Sequence, residues 1–325
     1  MATSATNVSE ALPPTGARAS SLSRAFSGDS LLYAITFLAA SVILLLTALL
    51  VFELWIHANP ARTKFGWSFL ISSAWDPQNG QFGALPAIYG TVVTAALSLL
   101  IAVPFGVGAA IFLAELAPPK LSDAMTFLIE LLAAVPSVIF GLIGIFVLVP
   151  ALNVVVPFLK DHLGSMIFFS GPFYGVSVFS AGVVLSVMIA PYIISVSREV
   201  LLNVPKDLRE AALALGATRW ETTWQVVVPY ARTGIFGSIF LALARALGET
   251  MAVTMVVGNS PKIAASLLAP GTSIAAVIAN EFSEATGDIY TSSLIELALV
   301  LFGLTIILNG AARLLILATT ERHQK

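Results

Sequence analysis

The sequence predicts an all-α membrane protein with six transmembrane helices. Of its 325 residues, 58% are hydrophobic and only 10% are charged, whereas about a quarter of the residues of a soluble domain carry charge. The apolar residues are also gathered into six stretches. Each has roughly 20 residues or more, enough for a helix to cross a hydrocarbon core of about 30 Å.

The six predicted spans follow one another along the chain. They cover about residues 31–56, 84–113, 125–149, 174–197, 235–257 and 292–317. The first is longer than the apolar core of a cleaved signal peptide, which has about 7 to 15 residues, so we expect it to be retained. Residues 1–30 are polar and rich in Ser and Ala, which predicts a disordered cytoplasmic tail. Residues 318–325 are expected to form a second cytoplasmic tail.

Lys and Arg residues set the expected orientation, because basic loops tend to stay in the cytoplasm. An even number of spans places both termini on one side. If that side is the cytoplasm, it holds most of the basic residues: Arg18, Arg24, Lys120, Arg198, Lys206, Arg209, Arg219, Arg232, Arg313, Arg322 and Lys325. The other side then holds Arg62, Lys64, Lys160 and Lys262. This imbalance predicts an N-in, C-in protein.

Two segments break the simple pattern of spans and polar loops. Residues 150–172 are too apolar for a solvated loop and too rich in Pro and Gly for a clean span, so we expect them to lie in the interface or to re-enter the membrane. His162 within them has no second metal ligand at helical spacing and is expected to be an ordinary surface residue. In VPSVIFG, Pro136 and Gly141 favour a bend beside the pathway, with ordinary packing as the alternative.

The loop at residues 203–234 predicts two short helices. The first is expected to end at Gly216 in a left-handed conformation. Its apolar face comprises Leu208, Ala211, Ala212 and Leu215. Such a small ridge suits docking into a groove of a cytoplasmic protein, or resting on the membrane surface. Thr218 and Glu221 fit a capping box for the second helix, which is expected to end or bend near Pro229.

Several motifs resemble a known transporter family. EAALALGATRW followed by VVVP resembles the EAA loop of ABC importer permeases, with Glu210, Ala211, Ala212 and Gly216 at the family's spacing. The segments ARALGETMAVTMVVGN, LLAAVPSVIFGL, GALPAIYGTVVTAALSLLIAVP and IANEFSEA resemble the PstC-type permease subunit of phosphate-specific ABC importers. This resemblance covers nearly all of the chain after Ser30 and implies the type I ABC importer permease fold.

The resemblance also implies a set of partners. In that family the short EAA helix couples the permease to the ATPase, so residues 210, 211, 212 and 216 are expected to contact it. The implied partners are a homologous permease (PstA type), two ATP-binding subunits (PstB type) and an extracytoplasmic phosphate-binding protein (PstS type), which residues 258–290 would face. ATP and Mg²⁺ would be bound by the ATPase, with no cofactor in this chain, in the cytoplasmic membrane of a bacterium.

Two charged residues, Arg245 and Glu249, interrupt the fifth apolar stretch. They are four residues apart, which predicts that they share one helical face together with small residues such as Ser238, Ala242 and Ala252. Ionisable residues at membrane depth usually face a bundle interior or a watery cavity. We therefore predict a substrate pathway in which Arg245 offers a charged fork to phosphate and Glu249 balances it in the empty state. The alternative is an intrahelical ion pair that orients the span or bridges to a neighbouring helix.

The sequence thus predicts a transporter subunit rather than an enzyme. It contains no nucleotide-binding loop of the G-x-x-x-x-G-K-[ST] type, no metal-ligand cluster and no nucleophile with its base. A net charge of −2 and the absence of Cys give no reason to expect nucleic acid or thiolate metal sites. One alternative is a permease for another oxyanion, such as sulfate or molybdate. Another is a secondary transporter in which Arg245 and Glu249 relay ions or protons.

Overall fold

The computed structural model describes residues 28–163 and 167–321, and this part of the chain is almost wholly helical. Asp76 and Gln81 form an isolated bridge. The predicted all-α class is confirmed. The predicted tails lie largely outside the described residues, at 1–27 and 322–325, and their inner ends belong to the first and last helices. The chain divides into two compact units, Met1–Glu53 and Leu54–Lys325, of which the first is described only as helix from residue 28.

Six of the helices in the described residues are long and apolar enough to cross a membrane, which confirms the predicted number of spans. They are α1, α4, α6, α7, α9 and α12 in the following list. In chain order the helices are α1 (Gly28–His57), α2 (Asn59–Phe65), α3 (Ser68–Ile71), α4 (Leu85–Leu116), α5 (Pro119–Ala133), α6 (Ser137–His162), α7 (Val178–Leu202), α8 (Lys206–Ala214), α9 (Arg219–Gly248), α10 (Met251–Val256), α11 (Ile274–Glu281) and α12 (Asp288–Glu321).

The structure differs from the sequence prediction in the third span. The stretch predicted at 125–149 is divided, because α5 ends at Ala133 and α6 begins only after Pro136. The residue before a proline is disfavoured in the helical conformation, which explains the break at Val135. Helix α6 then continues to His162, so the first half of the segment 150–172 belongs to a helix that is long and apolar enough to cross a membrane. The sequence prediction did not include this half in a span.

Proline is accommodated inside α6 by a local change of helix type. A π turn at Gly144–Leu148 precedes Pro150, and the helix then runs on. Proline has no backbone N–H and its ring crowds the carbonyl four residues earlier. In a π turn that carbonyl pairs with an N–H five residues on instead. The helix therefore passes the proline without ending.

Helix α7 is the centre of the bundle and packs against both α4 and α9. Glycine lies where the helices cross. A Cβ on Gly182 would lie 2.5 Å from Leu97 Cδ2, and one on Gly234 would lie 2.3 Å from Val200 Cγ1. Small residues let membrane helices approach closely, and dispersion contacts then hold them together. This tight packing makes α4, α7 and α9 the frame on which the remaining segments rest.

Residues 258–290 pack over one end of this frame. The Thr91 hydroxyl of α4 accepts a hydrogen bond from the backbone N–H of Ile274 at 2.9 Å. Nearby, the Glu281 carboxylate accepts hydrogen bonds from Trp75 Nε1 at 2.9 Å and from the Tyr290 hydroxyl at 2.7 Å. These contacts join the segment to α4, to the loop after α3 and to the start of α12.

Candidate functional site

Arg245 and Glu249 do not share the face of one helix, contrary to the sequence prediction. Helix α9 ends at Gly248, and Glu249 adopts an extended conformation with φ −71° and ψ 127°. The chain becomes helical again at Met251. Glu249 Oε1 accepts a hydrogen bond from the backbone N–H of Ala252 at 3.4 Å, so its carboxylate caps α10. The two charges therefore stand on opposite sides of a helix break.

Arg245 is held by an aromatic ring. Its guanidinium carbon lies 4.5 Å from the centroid of the Tyr192 ring on α7. Within the described residues no carboxylate lies within ion-pair distance of it, so the intrahelical ion pair considered as an alternative is not formed. Its Nε atom is buried without a hydrogen-bond partner. The guanidinium thus lies over the Tyr192 ring, while its buried Nε–H has no acceptor within the described residues.

The Tyr192 hydroxyl connects Arg245 to a second helix break. It donates a hydrogen bond of 2.9 Å to the carbonyl oxygen of Ala133, the last residue of α5. Carbonyl groups in the last turn of a helix have no partner inside the helix, so this hydroxyl satisfies one of them. Arg245, Tyr192 and the break before Pro136 therefore form one cluster that joins α5, α7 and α9.

The segments after the two breaks pack side by side. Helix α10 lies against the start of α6, where a Cβ on Gly141 would be 2.5 Å from Met255 Sδ and 3.3 Å from the Ala252 Cα. The predicted bend at Pro136 is confirmed as a full break, and Gly141 serves close packing. Ala252 faces this contact. Non-helical backbone at membrane depth is tolerated where it is buried in protein or lines a water-filled cavity.

The small residues on α9 below Arg245 face another helix. Ser238 and Ala242 are fully buried. The Ser238 hydroxyl lies 2.7 Å from the Ser197 hydroxyl of α7, a buried hydrogen bond between the two central spans. Arg245 is therefore carried on a rigid part of the frame.

The predicted coupling segment contains the expected short helix, α8. It is followed by Gly216 at φ +90°, a left-handed conformation that favours glycine. Thr218 and Glu221 form the predicted capping box at the start of α9. Of the two expected outcomes near Pro229, an end or a bend, the structure contradicts the first, because α9 does not end there. It passes that proline through a π turn at Thr223–Val227 and continues to Gly248.

The predicted coupling segment has an exposed surface that includes large apolar side chains. Glu210 and Ala211 are exposed and Ala212 is half-buried. Leu215 is 90% exposed, and the rings of Trp220 and Trp224 stack with centroids 5.8 Å apart while remaining more than half exposed. The motif residues Glu210, Ala211, Ala212 and Gly216 thus lie on a surface suited to a protein partner. Contact with an ATPase stays a prediction.

A buried ion pair ties this segment to the membrane helices. Arg209 Nη2 lies 2.7 Å from Glu115 Oε1, and Arg209 Nε donates to Glu115 Oε2 at 3.3 Å. The same guanidinium donates to the carbonyl oxygens of Leu201 and Val204. Both charged side chains are more than four-fifths buried. Arg209 therefore links α8 to the π turn that ends α4 and to the end of α7.

Sequence reasoning missed Glu115 and Tyr192. Arg209 and Glu115 are separated by 94 positions, and no helical periodicity connects residues at that distance. Tyr192 lies in an ordinary apolar span, where an aromatic residue signals packing. The position of Glu115 at the polar end of a long apolar stretch was the available signal, since a carboxylate there needs a partner.

Comparison with known proteins identifies the family. Residues 102–319 match the family described as binding-protein-dependent transport system inner membrane component. The phosphate transport system permease protein PstC of Mesorhizobium japonicum is 44% identical over 97% of this chain and 98% of its own length. The chain belongs to the PstC family of these permeases. A PstC relative from Xylella fastidiosa is 46% identical over 89% of this chain and 90% of its own length. Another from Haemophilus influenzae is 47% identical over 89% of this chain and 93% of its own length.

Solved structures support the fold of this PstC-family chain. A bacterial ABC transporter involved in the import of the acidic polysaccharide alginate matches with a TM-score of 0.57 at 20% identity, over 90% of this chain and 98% of that chain. A bacterial alginate ABC transporter in complex with an alginate pentasaccharide-bound periplasmic protein matches with a TM-score of 0.58 at 17% identity. The match covers 90% of this chain and 94% of that chain. At these identities the likeness establishes the ABC importer permease fold of a multi-pass membrane protein.

Proposed function

We propose that this chain is the permease subunit of an ATP-driven importer for inorganic phosphate and forms half of the translocation pathway. The observation that carries the proposal is that this chain belongs to the PstC family. The compared members are named phosphate transport system permeases, and this chain matches nearly their full length. We place the chain in the bacterial cytoplasmic membrane with both termini in the cytoplasm, because the basic residues are concentrated on that side.

In the proposed pathway Arg245 contacts the anion. Its guanidinium is oriented by Tyr192, and its Nε–H lacks a partner. A phosphate oxygen would satisfy that donor, and charge-assisted bonds of this kind are stronger than neutral ones. Glu249 caps α10 across the helix break and adds a negative charge to the same region. That charge would oppose over-tight binding of the anion and favour its release.

In the proposed coupling step the ATPase acts on the surface that contains Glu210, Ala211, Ala212 and Gly216. When the ATPase closes, it would displace α8. The Arg209–Glu115 pair would transmit that displacement to α4, and the Arg209 bonds to the Leu201 and Val204 carbonyls would transmit it to α7. Because α7 carries Tyr192, the movement reaches the side chain that orients Arg245.

The proposed complex contains four kinds of subunit. A homologous PstA-type permease supplies the second half of the pathway, two PstB-type subunits bind ATP and Mg²⁺ and hydrolyse the ATP, and a PstS-type protein delivers phosphate from outside. This chain needs no cofactor of its own for the role. Residues 258–290, which pack over one end of the bundle, are proposed to face the delivering protein.

Uptake of radiolabelled phosphate tests the proposal. Cells that lack their own high-affinity system would receive the full set of subunits, or the set without this chain, or the set without the ATPase. We expect uptake only with the full set, and no inhibition by excess sulfate or molybdate. Uptake without the ATPase would instead establish a secondary transporter, and competition by sulfate or molybdate would assign another oxyanion.

A further inference from the structure

A cavity of about 460 Å³ lies between α12 and the segment that joins α1 to α3. Its volume is within the usual range of ligand pockets, about 300–1,000 Å³. Most of its wall is apolar and comes from α12, including Leu299, Val300 and Ile307, while Arg62 and Glu296 are its charged residues. Arg245 and Glu249, the residues of the proposed pathway, do not line it.

Both charged residues in this cavity hold a polar atom without a partner. Arg62 Nη1 and Glu296 Oε2 are each buried and form no hydrogen bond. Within the described part of the chain the two side chains do not form an ion pair with one another. A buried donor or acceptor that lacks a partner costs about 1–3 kcal/mol, and more when it is charged. Two residues of the cavity wall therefore carry one unmet donor and one unmet acceptor.

The Arg62 side chain is held in place by its other contacts. Its guanidinium carbon lies 3.6 Å from the centroid of the Trp55 ring, and its Nη2 donates to the Trp55 carbonyl oxygen. These contacts fix the guanidinium, and its buried Nη1 remains without a hydrogen-bond partner.

The cavity lies at the level expected for lipid headgroups. Trp55 and Trp67 both line it and are 56% and 86% exposed. Tryptophan is enriched where membrane helices meet the interface. Glu296 is about two turns into α12, whose first residues lie beside His57 at the end of α1. The polar end of the cavity is therefore close to the interface, and its apolar wall follows α12 toward the hydrocarbon core.

We propose that this cavity binds a phosphatidylethanolamine-type lipid. The phosphodiester oxygen accepts from Arg62 Nη1, the primary ammonium donates to Glu296 Oε2, and an acyl chain lies along α12. A simple anion would satisfy Arg62 but be repelled by Glu296. A simple cation would satisfy Glu296 but be repelled by Arg62. A zwitterion with a donating ammonium satisfies both atoms. A choline headgroup cannot, because its quaternary nitrogen has no N–H to donate.

The test measures lipid retained by the purified, assembled transporter. The complex is delipidated and exposed to equal amounts of phosphatidylethanolamine, phosphatidylcholine and phosphatidylglycerol with the same acyl chains, and the bound lipid is quantified by mass spectrometry. We expect phosphatidylethanolamine to be retained several-fold over the other two. Glu296→Gln should abolish the preference over phosphatidylcholine, and Arg62→Gln should lower retention of all three lipids.

A pair of glycine variants separates lipid binding from general damage. Gly303 lines the cavity, and no atom lies within 4 Å of where its Cβ would be. Gly303→Leu should fill the cavity and displace the lipid without removing a charge. Gly310 lies on the same helix, is equally open and does not line the cavity, so Gly310→Leu should retain lipid like the wild type.

Three results would overturn the proposal. Equal retention of the three lipids by the wild type would indicate ordinary annular lipid. A preference for phosphatidylglycerol would mean that Arg62 alone governs binding. Unchanged retention in Gly303→Leu, in a complex that assembles normally, would place the lipid elsewhere.

Discussion

Arg245 lies over the ring of Tyr192, with its guanidinium carbon 4.5 Å from the ring centroid. A guanidinium is planar and holds its N–H donors in a fixed fork. A lysine offers neither a plane to stack nor a fixed set of donors. At the scale of a single residue, the chemistry of the pathway therefore depends on arginine itself and not only on a positive charge.

Arg245→Ala is expected to abolish phosphate uptake, and Arg245→Lys to restore only a small part of it. The alanine variant removes the charge, whereas the lysine variant keeps the charge but loses the stacked fork. Initial uptake rates would be compared with the amount of assembled complex in the membrane. Full uptake by either variant at normal assembly would contradict the pathway role.

Tyr192→Phe and Tyr192→Leu separate the two functions of Tyr192. Phenylalanine keeps the ring beneath Arg245 but loses the hydrogen bond to Ala133, a contribution of about 0.5–1.5 kcal/mol. Leucine removes both contacts. We expect the phenylalanine variant to retain more uptake than the leucine variant. The opposite order would indicate that the link to the break after α5 matters more than the orientation of Arg245.

Among the elements, α8 is the one whose attachment matters most for the proposed coupling step. Its outer surface is exposed, while Arg209 anchors it to α4 and α7 through a buried, multiply bonded guanidinium. Removing one partner of a buried pair leaves the other charge uncompensated and typically costs about 3–5 kcal/mol. Such a loss would loosen α8 without altering Arg245 or the surface proposed to contact the ATPase.

Arg209→Lys and Glu115→Gln are therefore expected to raise the amount of ATP hydrolysed per phosphate imported. A double-mutant cycle would test whether the two act through one interaction, in which case the double variant should be little worse than either single variant. As a control, Lys206→Gln changes a charge at the exposed start of α8 and should leave the ratio unchanged. Additive effects of the Arg209 and Glu115 changes would argue against a shared role.

The ends of helices could be predicted where a few neighbouring residues determine them. Gly216 and the Thr218–Glu221 box follow from the backbone conformations and hydrogen bonds that these residues favour over three or four positions. The third span and the end of α9 were misplaced, because Pro150 and Pro229 signal a stop while π turns carry both helices past them. Whether a proline ends a helix depends on packing that a short window of sequence does not contain.

For the molecule as a whole, assembly depends on how residues 258–290 dock onto α4. A Cβ on Gly90 would lie 1.7 Å from the Thr272 carbonyl oxygen, and the neighbouring Thr91 hydroxyl bonds the Ile274 N–H. The backbone of the docked segment therefore touches the backbone of α4 directly. Sequence alone could not identify this contact, because it joins positions far apart in the chain.

Gly90→Ala is expected to destabilise the protein by about 1–3 kcal/mol or more, because the new methyl group has no space. Gly108→Ala is the matched control on the same helix. No atom lies near the added Cβ there, and alanine favours helix over glycine by about 0.5–1 kcal/mol. Thermal unfolding of the purified complex would compare them. Equal midpoints for the two variants would contradict the docking described here.

The π turn at Thr223–Val227 has a geometric consequence for the whole of α9. A π turn accommodates one more residue than the α-helical turn it replaces, so it sets the angular phase between the Trp220 end of the helix and the Arg245 end. If the same residues formed a plain α-helix instead, everything beyond the turn would be rotated by about 100°. Arg245 would then turn away from Tyr192 while every residue of the pathway remained present.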